Sequence, residues 1–222
     1  MVKGPTRRAL LAAAIGLGLA AGQPLQAAGR LRALGADEPA GAALIERLRQ
    51  GGLVLFFRHA DTRGMPCDRT FRLGDRDGQR NLSEAGREQA RRIGQAMRQM
   101  RIPFARPVLA GPVFRARDTA EIAFGVDRVA VTDALLADDY AGGRLEEVLD
   151  GHRRLFAEAP PPGTNRVLVG HRTPAIMVLG PAVGGDALPE GAAIVLEPAG
   201  DRPGILGILA AAPVAGGGFH GC

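Results

Sequence analysis

The chain has 222 residues, of which 46% are apolar and 23% charged, so it can bury one α/β-sized core and lacks the composition of a disordered protein. Its formal net charge is +5, yet it contains one Tyr and no Trp, and its arginines are interspersed with acidic residues. A nucleic-acid-binding protein is expected to cluster basic and aromatic residues, so we predict no nucleic-acid partner.

The amino-terminal segment has the layout of a secretory signal peptide. Lys3, Arg7 and Arg8 precede an uncharged run at residues 9–21, which small and turn-favouring residues follow. This run is well short of the roughly 20 apolar residues that span a bilayer, which disfavours a stable membrane anchor. The arginine pair also partly resembles a twin-arginine signal, so both the Sec and the Tat export routes remain open.

We therefore predict a cleaved signal peptide at residues 1–27 and a single domain at residues 28–222, located in the periplasm or outside the cell. Removing the signal peptide lowers the net charge to +2, so the basic character of the whole chain says little about its partners.

Two cysteines, Cys67 and Cys222, would enter an oxidising compartment with the exported domain. A disulfide between them is the favoured expectation. Two unpaired thiols are the alternative, because the sequence does not establish the distance that a disulfide requires.

Helices and strands are predicted to alternate along most of the chain. Residues 53–57 are continuously apolar, as expected of a strand buried on both faces, and Ser83 is placed to cap a helix. The predicted helices cover 41–50, 83–100, 115–124 and 144–156, and the predicted strands cover 53–57, 108–110, 129–132, 166–169, 192–196 and 205–209. This alternation favours an α/β fold with a mainly parallel central sheet, helices on both faces, and a closing hairpin around Gly200.

Reactive side chains follow three of these strands. Arg58 and His59 end the first strand, Arg115 comes shortly after the second, and His171 directly follows the strand at 166–169. Ligands of open α/β sheets bind at the carboxyl ends of the strands, so these residues could share one pocket. Two arginines beside two histidines favour a phosphate ligand and keep His59 neutral, which suits a nucleophile.

The same residues lie in motifs that resemble those of the histidine phosphatase (phosphoglycerate mutase-like) superfamily. LVLFFRHADT is similar to its Arg-His-Gly strand-end motif, with Ala60 in the glycine position, and NLSEAGREQA resembles the helix that follows. GPVFRARDTAEIA resembles its second arginine motif, with Asp118 in place of the usual glutamine, and VLVGHRTP matches its Gly-His motif.

The resemblance implies a phosphoric monoester hydrolase that forms a phosphohistidine on His59, with no cofactor and no metal. Arg58, Arg115 and His171 would hold the phosphoryl oxygens during the transfer.

The family usually supplies the leaving-group proton from a carboxylic acid located between the second arginine motif and the Gly-His motif. Asp138 and Asp139 are the candidates, and the spacing Leu136-Ala137-Asp138 favours Asp138. A solvated acidic turn is the alternative.

Two other functions are compatible with the motifs. One is a phosphomutase, which is disfavoured by export and by Met65, because mutase-like members carry an asparagine at that position. The other is a catalytically silent phosphate- or phosphosugar-binding protein of the cell envelope. For a phosphatase, we expect the partner to be a phosphorylated small molecule or an envelope glycolipid phosphate.

The aperiodic segment 60–81 is long enough to suggest a functional loop. Its charged residues Arg63, Arg69, Arg72 and Asp75 could line the mouth of the pocket or pair with one another at the surface.

Two histidines lie outside the motifs. We predict His152 to be a surface residue of an amphipathic helix. A bond between Cys67 and Cys222 would bring His220 near the pocket.

Overall fold

The computed structural model describes Met1, residues 30–200 and residues 202–220. Residues 2–27 of the predicted signal peptide lie outside the described residues, and so does Cys222, so both the signal peptide and the disulfide stay predictions. Among the described residues, none of the helices has both the length and the apolar character needed to span a membrane.

The described part of the chain folds into six α-helices and seven β-strands. The helices are α1 (Pro39–Arg49), α2 (Glu84–Gln99), α3 (Phe114–Phe124), α4 (Asp138–Ala141), α5 (Leu145–Ala157) and α6 (Arg172–Leu179). The strands are β1 (Ala33–Gly35), β2 (Val54–Arg58), β3 (Val108–Ala110), β4 (Val129–Val131), β5 (Arg166–Gly170), β6 (Ala193–Glu197) and β7 (Gly204–Ala210).

These seven strands form one sheet in the order β1-β7-β6-β2-β5-β3-β4. Strand β6 is antiparallel to both of its neighbours, β7 and β2, whereas every other adjacent pair is parallel. The predicted mainly parallel sheet and its closing hairpin are therefore confirmed.

Helices cover both faces of the sheet. Leu55 and Phe57 of β2 pack with α1, α2 and α3 in one core, and Val54 and Phe56 pack with α5 and α6 in the other. Alternate side chains of β2 thus point to opposite, fully covered faces, which explains why this strand is apolar at every position.

Each predicted helix and strand is present within two residues of its expected bounds, and the Ser83 hydroxyl accepts a hydrogen bond from the Gly86 amide as the cap of α2. The sequence reading missed β1, α4 and α6. Helix α6 is a short apolar run, and periodicity cannot separate such a helix from a strand.

The prediction for His152 was wrong. His152 is fully buried against Phe56 and Phe156, with ring centroids 6.0 Å and 5.7 Å away, and its Nδ1 is 2.9 Å from the Val148 carbonyl oxygen. The neighbouring Gly151 allows close packing of α5 here, because a Cβ at that position would lie 2.8 Å from Ala134.

Burial lowers the pKa of His152 to about 4, so the folded state is less stable in acid. Between a pH of about 6.5 and 4 the unfolded chain binds a proton here that the folded chain does not, and stability falls as the pH falls. Wild type should therefore lose unfolding free energy between pH 6.5 and 5, and we expect the His152→Leu variant to lose up to about 2 kcal/mol less over the same range. Urea unfolding at both pH values measures this, and an equal loss in wild type and variant would contradict it.

Candidate active site

The pairing of β2 with β5 brings two of the predicted site residues together. In this parallel pair Arg58 lies opposite Gly170, so the next residues, His59 and His171, leave the sheet side by side. Their ring centroids are 5.5 Å apart. Arg115 is the second residue of α3, the helix that follows β3 on the far side of β5. All four line one cleft of about 290 Å³.

His59 is 7% exposed, and its Nδ1 is 2.9 Å from the carbonyl oxygen of Ala60. A carbonyl oxygen only accepts, so in the neutral ring Nδ1 carries the hydrogen and Nε2 keeps the lone pair. Burial is the main cause that lowers the pKa of His59 well below its usual value, followed by the charges of Arg58 and Arg115. His59 is therefore a neutral imidazole at neutral pH and is suited to nucleophilic attack.

His171 has the same electrostatic character. Burial first, and then the Arg115 guanidinium, hold its pKa well below the usual range. Its Nε2 is buried and makes no hydrogen bond to the part of the chain that the structure describes. A buried ring nitrogen at a cleft is suited to contact a ligand oxygen.

Arg58 is 6% exposed and is held by backbone carbonyls from two segments. Its Nη1 donates to the oxygens of Leu188 and Gly218, each at 3.0 Å, and its Nη2 lies 3.5 Å from Oε1 of the buried Glu190. Burial lowers the pKa of Arg58 to about 10, against the opposing effect of Glu190. The guanidinium is thus charged at neutral pH, and its Nε has no hydrogen-bond partner among residues 30–200 and 202–220.

Arg115 is positioned by Asp68. Its Nη1 lies 3.1 Å and 3.2 Å from the two oxygens of that carboxylate. The Tyr140 hydroxyl donates to Asp68 Oδ1 at 2.5 Å, and the Arg80 amide donates to the same oxygen at 2.9 Å. Burial and the Asp68 hydrogen bond raise the pKa of Tyr140, so it stays a hydroxyl donor.

Asp138 lines the same cleft as the first residue of α4 and is half-buried. Burial, followed by the negative charge of Asp139, raises the pKa of Asp138, whereas hydrogen bonds from its own backbone amide and from Thr173 oppose the shift. A raised pKa favours the protonated acid, which is the form that can donate a proton. Asp139 also lines the cleft but is exposed.

The long loop contributes residues that the sequence reading did not select. Arg80 and Asp68 line the cleft, whereas Arg63, Arg69 and Arg72 are exposed and lie outside its lining. The signal that could have pointed to Arg80 is its position shortly before Ser83, the cap of α2, where the chain returns to the packed core.

Asp75 is also outside the cleft lining. It stabilises the loop internally, accepting from the Thr70 hydroxyl at 2.7 Å and from the Gly78 amide at 3.1 Å.

His220 lies at the cleft, where the sequence reading expected it if Cys67 and Cys222 were bonded. Its Nδ1 is 2.7 Å from Oε2 of Glu190, and its carbonyl oxygen accepts from both Nη atoms of Arg80 at 3.0 Å. Glu190 is a further residue near the site that the sequence reading missed. It is only 3% exposed and lies near Arg58, Arg80 and His220.

The segment from residue 54 to residue 178 matches the family model of the histidine phosphatase superfamily, branch 1. The chain belongs to the histidine phosphatase superfamily. The resemblance inferred from the sequence motifs is therefore confirmed. Arg58, His59, Arg115 and His171 all lie inside the matched segment.

Several solved structures are similar to this superfamily member. A protein provisionally named phosphohistidine phosphatase SixA from Agrobacterium tumefaciens is 21% identical with a TM-score of 0.45, over 72% of this chain and 98% of that chain. A mycobacterial glucosyl-3-phosphoglycerate phosphatase is 21% identical with a TM-score of 0.49, over 70% and 97%. A phosphoserine phosphatase from Entamoeba histolytica is 13% identical with a TM-score of 0.47, over 71% and 96%. No curated protein matches the chain, so the family assignment rests on the matched segment.

One departure from the superfamily motifs has a structural explanation. Asp118, in the usual glutamine position, accepts from Nη1 and Nη2 of Arg76 at 2.7 Å and 2.8 Å. The Arg76 guanidinium also stacks 3.8 Å above the Phe114 ring. Asp118 and Phe114 of α3 thus hold the long loop against the helix that carries Arg115.

A matched pair of variants tests the anion site. Arg115 is buried at the cleft, whereas Arg117 on the same helix is exposed and pairs with Glu121. We expect Arg115→Ala to weaken binding of inorganic phosphate by roughly ten- to hundredfold, because it removes a charge-assisted donor. Arg117→Ala should bind phosphate like wild type. Isothermal titration with phosphate distinguishes them, and equal affinities for the two variants would refute this assignment.

Proposed function

We propose that this protein is an exported phosphatase that hydrolyses a phosphomonoester through a phosphohistidine on His59. The observation that carries the proposal is the buried, neutral His59 next to His171, in a cleft that the guanidiniums of four arginines, Arg58 and Arg115 among them, also line. We place the protein in the periplasm or outside the cell because residues 1–27 have the composition of a signal peptide.

In the first step the His59 lone pair attacks the phosphorus atom, and the bond from phosphorus to the ester oxygen breaks. The electron pair of that bond leaves with the ester oxygen, which takes a proton from Asp138 and departs as an alcohol. Arg58, Arg115 and His171 bind the phosphoryl oxygens, on which negative charge is concentrated. His59 carries the phosphoryl group at the end of this step.

In the second step water attacks the phosphohistidine, and the bond from phosphorus to the His59 nitrogen breaks. Asp138, now ionised, accepts the proton of the attacking water and returns to its acid form. Inorganic phosphate leaves, and His59 regains its lone pair. Each step uses only groups of this chain and water.

The nucleophile is tested with p-nitrophenyl phosphate. We expect His59→Ala to lower kcat by at least roughly a thousandfold and to abolish the acid-labile phosphoenzyme, because the proposed intermediate is formed on His59. Arg117→Ala is the control and should keep wild-type turnover. A wild type that binds phosphate but shows no turnover would instead indicate a silent binding protein.

The proton donor is tested by comparing leaving groups. p-Nitrophenolate leaves without a proton, whereas an alkoxide needs one, so Asp138→Asn should spare formation of the phosphoenzyme from p-nitrophenyl phosphate in a single turnover and slow it from glycerol 1-phosphate by about 10²- to 10⁴-fold. Hydrolysis of the phosphoenzyme should slow equally for both esters, because Asp138 is the base of that step. In wild type, activity on the alkyl ester should fall as pH rises through the raised pKa of Asp138, because the acid form is lost. The variant should lack this alkaline limb. If Asp139→Asn gives these effects and Asp138→Asn does not, the assignment is wrong.

A further inference from the structure

The carboxyl-terminal tail, residues 213–220, forms one wall of the cleft. The Gly218 carbonyl oxygen accepts from the Glu190 amide at 2.9 Å and from Arg58 Nη1 at 3.0 Å. The His220 carbonyl oxygen accepts from both Nη atoms of Arg80 at 3.0 Å. Two guanidiniums of the site therefore bind the backbone of the tail directly, which places the His220 side chain at the cleft.

The His220 ring is oriented by buried carboxylates. Its Nδ1 is 2.7 Å from Oε2 of Glu190 and 3.9 Å from Oδ2 of Asp61, and the side chain of His220 is 19% exposed. A carboxylate accepts from a ring N–H, so Nδ1 is the donor in this pair. The remaining polar atom of the ring, Nε2, is the one that a ligand can use.

Glu190 is itself held in place. Its Oε1 accepts from the Thr62 hydroxyl at 2.7 Å and lies 3.5 Å and 3.8 Å from Arg58 and Arg80. The carboxylate that orients His220 thus also contacts an arginine of the phosphate site. This shared contact connects the tail to the phosphoryl position.

The cleft lining contains more polar residues than those that would bind a phosphoryl group. Apart from Arg58, His59, Arg115 and His171, its described lining includes Arg80, Arg172, Thr173 and His220, and Ala137 is its one apolar member. A lining of this kind cannot bury an apolar group favourably, but it can hydrogen-bond to hydroxyl groups. The tail and Glu190 also lie outside the segment that matches the family model, which ends at residue 178.

We propose that the tail forms a polar subsite beside the phosphoryl position, in which His220 hydrogen-bonds a hydroxyl group of the substrate. The substrate class is then a phosphorylated polyol or sugar rather than an apolar alkyl or aryl phosphate. His220 is a specificity-determining residue, and Glu190 is the positioning residue that orients its ring. This inference rests on the phosphatase activity proposed above.

The test compares glycerol 1-phosphate with propyl phosphate, which has the same carbon chain without the hydroxyl groups. Wild type should prefer glycerol 1-phosphate in kcat/KM by about ten- to hundredfold, the usual effect of one well-placed hydrogen bond in a buried site. His220→Ala should lose this preference by slowing glycerol 1-phosphate alone, and His220→Gln should restore part of it through its amide. Arg117→Ala, at an exposed position of α3 outside the cleft lining, is the control and should keep the preference.

Equal kcat/KM values for the two esters in wild type would overturn the subsite while leaving the phosphatase intact. An equal loss on both esters in His220→Ala would also overturn it, because that result indicates a purely structural role for the tail. An absence of turnover on every phosphomonoester, p-nitrophenyl phosphate included, would instead overturn the proposed function and the inference with it.

Discussion

The arrangement of the site depends on the parallel pairing of β2 with β5. This register places the ends of the two strands level, so that His59 and His171 emerge together at one edge of the sheet. Strand β3 is the next neighbour of β5, and the helix that follows it carries Arg115 to the same edge. A shift of one residue in either strand would turn one histidine to the opposite face, because side chains alternate along a strand.

The site concentrates positive charge in a buried space, which is unfavourable unless negative groups oppose it. Two carboxylates that are not among the site residues predicted from the sequence supply this opposing negative charge. Asp68 holds Arg115, and Glu190 lies within ion-pair distance of Arg58 and Arg80. The guanidiniums are therefore positioned before a ligand arrives, and such preorganisation is what electrostatic stabilisation of a transferring phosphoryl group requires.

Burial, together with the same positive charges, explains why the two histidines are neutral. Burial and nearby guanidiniums both disfavour imidazolium, so they lower the pKa values of His59 and His171 in the same direction. For Asp138, burial raises the pKa and so favours the uncharged acid. One polar but poorly solvated cleft thus favours a neutral base and a neutral acid together, which is the pairing that nucleophilic attack with proton donation needs.

The sequence by itself determined most of the helices and strands, though not β1, α4 and α6, together with the superfamily motifs and the residues at the strand ends. These are local features, since apolar periodicity and caps depend on neighbours along the chain and strand ends meet in any parallel sheet. Only the tertiary structure decided that His152 is buried, because that depends on how closely Gly151 lets α5 approach Ala134. It also decided which charged residues reach the cleft, because the contact between Arg58 and Gly218 joins positions 160 residues apart, and no local pattern encodes such a contact.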